Sequence, residues 1–496
     1  MNKLRKLTCL LLAMVMVFAL AAAASAEGQH TITVPDDGRN YNIYQIFTGD
    51  LTEGENGVKV LSNLKWGVNG NGTTGDEVEE NTLNALAAVM NGTESEKLTE
   101  ILKHVTLSNP VATVNHDAPY ACADGYYLIE DAGPVGKGEA FGRYLVNVAG
   151  DVTLTAKVSK VSFEKKIKDT NDSTGAITGW QDSADYDIGD SVPFQLKGTV
   201  AEDFDKYTTY YFAFHDKLED SLTFEPSSVK VYVGTQEITT GYTVNTSTSD
   251  GCTFEVIFND LKQVSGVKAE SEIIVEYTAK LNESAVLGKQ GNVNQAMLEY
   301  SNNPYTEQKG TTNWDNVIVF TYKVLVNKYA NEALAGKELT GAAFKLEKLY
   351  KDPDTNLDTW KTVHEFTVDE QNPASSFEFR GLDDGQYKLT ETVTPAGFNT
   401  IDAIEFTVTA DHNITWEGQA QDAILTSLSG DVATGEITFT PSDDQGTLTT
   451  NVVNKSGSTL PETGGIGTTL FYVLGGVLVL AAVVLLVTKK RMRSEN

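Results

Sequence analysis

The sequence predicts a mainly β protein, built as several all-β modules with one helical insertion near the front. Three observations carry this. The 496-residue chain reads mostly as short alternating apolar and polar runs broken by Gly, Asn and Asp, the pattern of half-buried strands joined by turns. Only residues 79–105 have helical spacing, with Leu83, Leu86, Val89, Met90, Leu98, Ile101 and Leu102 on one face and a break at Asn91-Gly92. Hydrophobic residues at 41% and aromatics at 9% suffice for packed cores, and the length suits about three domains of roughly 150 residues. With 12 Pro and 3 Cys, the chain is neither collagenous nor a disulfide-dense scaffold.

The charge is −30, an acid surplus that excludes nucleic acid as a partner. Basic residues mark the two ends. Lys3, Arg5 and Lys6 open the chain without an acid, and Lys489, Lys490, Arg491 and Arg493 close it against Glu495. Each end carries +3, leaving −36 between them. An apolar run over 7–24 and Ala24-Ser25-Ala26 follow the basic start, which predicts a secretory signal peptide (1–26) cut after Ala26. An uncut N-terminal anchor is the alternative. Near the other end, 470–487 is an unbroken apolar run, so 466–488 is expected to span a membrane, with the basic tail 489–496 in the cytoplasm.

Leu460-Pro461-Glu462-Thr463-Gly464 stands just before that span. The LPETG motif, the span and the tail together resemble the cell-wall sorting signal of Gram-positive surface proteins. The resemblance implies a sortase that cuts between Thr463 and Gly464, holds Thr463 as a thioester and passes it to an amine. The mature chain is then secreted and anchored to peptidoglycan, its membrane anchoring transient. Pro461 keeps the segment extended for presentation. In such an exported chain the N-x-S/T triplets opening at Asn71, Asn91, Asn171, Asn245, Asn282, Asn413 and Asn454 are not expected to carry glycans. Cys122 and Cys252, in different regions, read as buried small residues rather than a disulfide.

The exported part divides into 27–157, 158–318 and 319–455, with 456–465 as linker and sorting motif. In the first, Tyr41-Asn42-Ile43-Tyr44-Gln45-Ile46-Phe47-Thr48-Gly49, Trp66-Gly67, Asp124-Gly125-Tyr126-Tyr127-Leu128 and Asp151-Val152-Thr153-Leu154 resemble the N-terminal domain of sortase-assembled pilin backbone subunits. In the second, Asp187-Ile188-Gly189-Asp190, Phe214-His215-Asp216 and Leu298-Glu299-Tyr300-Ser301-Asn302-Asn303-Pro304 resemble the CnaA-like sandwich of the same pilins, which implies tandem immunoglobulin-like β-sandwich domains. In the third, Leu339-Thr340-Gly341-Ala342-Ala343-Phe344-Lys345-Leu346 and the stretch from Tyr387 to Phe398 resemble a CnaB-type, SpaA-like (prealbumin-like) domain. That stretch is similar to the pilin E-box, with Phe398 where Tyr is commoner.

Strand parity picks out the reactive candidates, because alternate residues share a face. Lys165 is in register with Val161, Phe163 and Ile167; Asp216 with Tyr210, Phe212 and Phe214; Asn294 with Ala296, Leu298 and Tyr300. In the third domain Lys328 follows Phe320, Tyr322, Val324 and Val326, Glu391 follows Tyr387 and Leu389, and Asn454 follows Leu448, Thr450 and Val452. The second and third domains are thus each expected to bury a Lys, an acid and an Asn; the first offers no comparable trio. A salt bridge explains the first two and leaves the Asn without a role. The resemblance implies instead an intramolecular isopeptide bond in each of these two domains, Lys165–Asn294 with Asp216 and Lys328–Asn454 with Glu391 as autocatalytic acids. Asn292 and Asn451 are the rival asparagines.

The same resemblance asks for a lysine that receives Thr463 from the next copy. Lys157 lies with Thr153 and Thr155 on the polar side of 152–157, although Thr155-Ala156 replaces the usual Tyr-Pro before it; Lys160 is the rival. Thr463 joined to Lys157 makes a head-to-tail filament of identical copies, with accessory pilins and host surface ligands as further partners and adhesion as its role. A non-polymerised LPXTG adhesin is the alternative. No enzyme, cofactor or metal is expected. The six His are scattered without an HExxH, GxSxG or Cys–His arrangement, and residues 169–175, faintly like a calcium loop, lack the closing Glu.

Overall fold

The computed structural model describes residues 29–53, 59–89, 92–155, 159–457 and 466–492. It is mainly β, as expected, and divides into two compact units. The first comprises Met1–Ile167, Ser191–Lys280 and Val293–Val317; the second comprises Lys168–Asp190, Leu281–Asn292 and Ile318–Asn496.

In the first unit, the front sheet orders Lys59–Trp66, Tyr41–Glu53, Gly125–Asp131 and Arg143–Val148. A smaller sheet sets His30–Thr33 between Tyr120–Cys122 and Val152–Thr153. The helical segment is two helices rather than one, Glu80–Ala88 and Glu94–Leu102. The second has its own start. Thr93 and Glu96 form a capping box, in which the Thr93 hydroxyl accepts from Glu96 N (3.2 Å) and the Glu96 carboxylate accepts from Thr93 N (2.7 Å). Leu86, Leu98, Ile101 and Val105 bury their side chains with Phe47 and Trp66.

Behind this, still in the first unit, two sheets form a sandwich. One orders Gln236–Ile238, Lys230–Val233, Glu272–Leu281, Ser191–Thr199 and Phe163–Ile167; the other orders Lys309–Thr311, Asn292–Ser301, Phe212–Leu218, Phe254–Phe258 and Thr243–Asn245. Asn292–Ser301 alternates buried and half-buried residues along its whole length, the signature of a strand with one face on a core. Gly198 lets the sheets close, since a Cβ there would stand 2.9 Å from the Phe212 ring.

The second unit holds another sandwich. Ser376–Leu382, Tyr322–Ala330, Thr447–Asn454 and Phe439–Ser442 make one sheet. Asp358–Glu365, Ala343–Lys351, Gly385–Val393, Ile404–His412 and Leu425–Val432 make the other. The strand that opens the domain runs parallel to the one that closes it, with Lys328 opposite Val452 and Ala330 opposite Asn454. The calcium-loop-like segment is a hairpin, Thr170–Asn171 against Ala176–Ile177, turning at Gly175 (φ +70°), a left-handed conformation that favours glycine. The helix Ile466–Met492 contains, over Tyr472–Lys489, the one stretch among the described residues long and apolar enough to cross a membrane.

Candidate functional site

Two buried clusters stand in the two sandwiches. In the first unit, Lys165 comes from the edge strand Phe163–Ile167, and Asp216 and Asn294 come from neighbouring strands of the opposite sheet. Ala296 pairs with Asp216 and Asn294 with Leu218, so the acid and the amide sit two residues apart on one face. All three are fully buried. Lys165 Nζ donates to Asp216 Oδ2 at 2.5 Å and to the Tyr277 hydroxyl at 2.9 Å. Tyr277 donates to Asp216 Oδ2 at 2.7 Å and accepts from Asn294 Nδ2 at 2.7 Å. Tyr277 is thus a fourth member, which strand parity had not singled out. Its strand places Ile273, Val275, Tyr277 and Ala279 in the core, where a tyrosine reads as one more aromatic. Phe194 stacks on the Tyr277 ring, and Phe254 meets it edge-on.

These surroundings set the protonation. Burial lowers the Lys165 pKa against the pull of Asp216, and burial raises that of Asp216 against Lys165. Both shifts favour the neutral amine and neutral acid. Asp216 Oδ1 and Asn294 Oδ1 are both buried without a hydrogen-bond partner among the described residues. A proton on Asp216 turns one of these two acceptors into a donor.

In the second unit, Lys328 and Asn454 come from the adjacent parallel strands, and Glu391 comes from Gly385–Val393 in the facing sheet. Their side chains are buried. Lys328 Nζ lies 2.9 Å from Glu391 Oε1 and contacts Asn454 Oδ1. Asn454 Nδ2 donates to both Glu391 oxygens, at 2.9 and 3.0 Å. The Thr394 hydroxyl and the Ile401 N–H fix Glu391 from behind, each at 3.2 Å. Burial lowers the Lys328 pKa against Glu391, and the Phe344 ring centroid lies 5.1 Å from Nζ. One carboxylate therefore touches both the amine and the amide nitrogen.

The rival asparagines are engaged elsewhere. Asn292 is buried, but its side chain binds backbone, accepting from Val286 N and donating to the carbonyls of Val286 and Val319. Asn451 is exposed.

A third lysine passes the same parity test and meets a different end. Lys348 shares a buried face with Phe344 and Leu346. Its ammonium donates to Asp172 (2.9 Å) and Asp187 (2.8 Å) and contacts Asp383. Burial opposes its charge, but Asp383, Asp187 and Asp172 outweigh burial and hold the pKa well above the usual lysine value. Lys348 is a charged, paired lysine and no nucleophile.

Lys157, the signal peptide and Leu460–Gly464 lie outside the described residues. The strand leading to Lys157 keeps its expected parity, with Val152 and Leu154 buried and Thr153 and Thr155 exposed, and Lys160 is exposed. Cys122 and Cys252 are both free and buried.

Comparison with known proteins gives three family matches. Residues 322–421 match the SpaA prealbumin-like fold domain, and 452–495 match the LPXTG cell wall anchor motif. Residues 188–304, expected as CnaA-like, match the Gram-positive pilin backbone subunit 2 domain described as Cna-B-like. The chain is 26% identical over 400 residues to the trypsin-resistant surface T6 protein of Streptococcus pyogenes serotype M6, covering 68% of this chain and 70% of that protein. Its fold is similar to that of the T6 backbone pilin of the same serotype, with a TM-score of 0.52 and 18% identity over 88% of this chain and 100% of that one. The full-length major pilin SpaD of Corynebacterium diphtheriae aligns with a TM-score of 0.49 and 18% identity, again over 88% and 100%.

Proposed function

We propose that this chain, which carries the domains of a Gram-positive backbone pilin and an LPXTG wall anchor, is the shaft subunit of a sortase-polymerised pilus. It comprises three exported domains, 27–157, 158–318 and 319–455. Thr463 of one copy joins Lys157 of the next, and the last copy joins peptidoglycan. The observation that carries this reading is the pair of buried Lys–acid–Asn clusters, one in each sandwich, in a chain whose sequence also carries an LPETG motif followed by an apolar helix.

In each cluster the neutral amine attacks the Asn carboxamide carbon. A C–N bond forms, the amide C–N bond breaks, and one proton moves from the amine to the departing nitrogen, which leaves as ammonia. In the third domain Glu391 contacts both nitrogens and carries that proton itself. In the middle domain Asp216 contacts the amine while Tyr277 bridges to Asn294, so the proton passes from Lys165 to Asp216 and through the tyrosine. The reaction happens once in each of the two sandwiches and turns over no outside substrate.

Intact mass spectrometry of the purified chain tests the bonds. Each should remove one ammonia, about 17 Da, for a total of about 34 Da. An unchanged mass refutes both. Polymerisation is read separately on blots of boiled cell-wall extract. A ladder that collapses to one band in Lys157→Ala supports the shaft role; a single band in the unmodified strain makes the chain a wall-anchored, non-polymerised adhesin.

A further inference from the structure

We propose that His215, Asp250 and Cys252 form a divalent transition-metal site, suited to zinc, on the outer face of the middle sandwich. His215 follows the core alternation of Phe212, Phe214 and Asp216 with opposite parity, so its imidazole lies on the other side of that sheet, yet it is only 7% exposed. Cys252 is buried in the turn that enters the neighbouring strand Phe254–Phe258, and Glu255 on that strand pairs directly with His215.

The donor atoms already stand at ligand spacing. Asp250 Oδ2 is 2.8 Å from His215 Nδ1 and 3.1 Å from Cys252 Sγ, and all three atoms lie within 4.8 Å of one another. Zinc bonds of about 2.0–2.3 Å in a tetrahedron bring their ligand atoms to comparable separations. Glu255 Oε1, 3.4 Å from the same imidazole nitrogen, is a further donor.

The two carboxylates are also held from behind, as metal ligands are. Asp250 Oδ1 accepts from Cys252 N (3.0 Å), which leaves Oδ2 facing the cluster. Glu255 Oε2 accepts from Asn245 Nδ2 (2.8 Å), leaving Oε1 to do the same. His215 Nε2 is buried without a hydrogen-bond partner among the described residues and points at Glu299, 3.7 Å away, a carboxylate itself paired with Lys309.

An imidazolium ringed by carboxylates accounts for the His and the acids but not for a buried free thiol turned to the same oxygen. A cation accounts for all of them. Binding converts the Cys252 thiol to a thiolate and releases that proton to solvent, the neutral His215 imidazole shifts its proton from Nδ1 to Nε2 on the Glu299 side, and the thiolate with Asp250 neutralises the ion's two charges. Asp250 is exposed, which gives the ion its entry.

The test uses the full chain in detergent, titrated with zinc by calorimetry and with cobalt(II) by absorption spectroscopy. One ion should bind per chain, and cobalt should show tetrahedral bands with a thiolate charge-transfer band. Cys252→Ser should abolish that band and weaken zinc binding at least about tenfold, Asn245→Ala should weaken it about tenfold through Glu255, and Cys122→Ser should change nothing. Circular dichroism checks that each variant is folded. No stoichiometric binding, or a Cys252→Ser protein with unchanged affinity and spectrum, overturns the proposal.

Discussion

In the middle domain Tyr277 touches the amine, the acid and the leaving amide nitrogen, whereas Glu391 in the third domain reaches both nitrogens unaided. The two bonds should therefore respond differently to single changes. Tyr277→Phe should slow formation of the Lys165–Asn294 bond at least about tenfold, within the range of a lost acid–base group, and leave Lys328–Asn454 untouched. A time course on freshly synthesised chain, followed by mass spectrometry of each cross-linked peptide, checks this. Glu391→Gln should give the converse, a chain about 16 Da heavier (one ammonia retained, less about 1 Da for the substitution) that still carries the middle bond. Lys348 is the control among buried lysines. Lys348→Met should leave both bonds intact, yet cost about 3–5 kcal/mol in chemical unfolding, because it strands Asp172, Asp187 and Asp383 without their cation.

At the scale of strands, alternation along Asn292–Ser301, Tyr322–Ala330 and Thr447–Asn454 is clean enough that Asn294, Lys328 and Asn454 are legible as buried from the sequence. The same rule flags Lys348, beside Phe344 and Leu346, and cannot tell it from Lys165, because parity reports burial and not the partner. Its partners Asp172 and Asp187 come from a segment more than 150 residues away. Tyr277 escapes for the same reason: its hydroxyl gains a role only from what the facing sheet brings to it. The break at Asn91-Gly92 is legible, but the fresh capping box at Thr93 makes two helices of the expected one. The Lys168–Asp190 segment carries its own pH signature. Burial, then Asp187 and Asp172, push Asp190 from 3.8 up to about 6. Between those values the folded state holds a proton that the unfolded state has lost, so stability falls as pH rises from about 4 to 6. Asp190→Asn should flatten that slope and gain about 1–3 kcal/mol relative to the parent at pH 7, read from urea unfolding across the range.

For the whole molecule, the two bonds would link residues 129 and 126 positions apart, each near the opening and closing strands of its sandwich. Cross-linking loops of that length removes about 5 kcal/mol of unfolded-state entropy per bond. The Lys165→Ala, Lys328→Ala double variant should accordingly lose the mass deficit, melt well below the parent in calorimetry, and be digested by trypsin under conditions that leave the parent intact. The parallel pairing of the first and last strands of the third domain has a mechanical consequence. With the proposed bond formed, tension entering at Tyr322 and leaving past Asn454 would meet Lys328 and Asn454 on neighbouring strands, and the bond would carry the load directly between them. The intervening chain would be shunted out of the load path. At about 3.5 Å per residue, the two bonds together would withhold roughly 900 Å of contour per subunit, and a filament of such copies would behave under tension as a nearly inextensible cord.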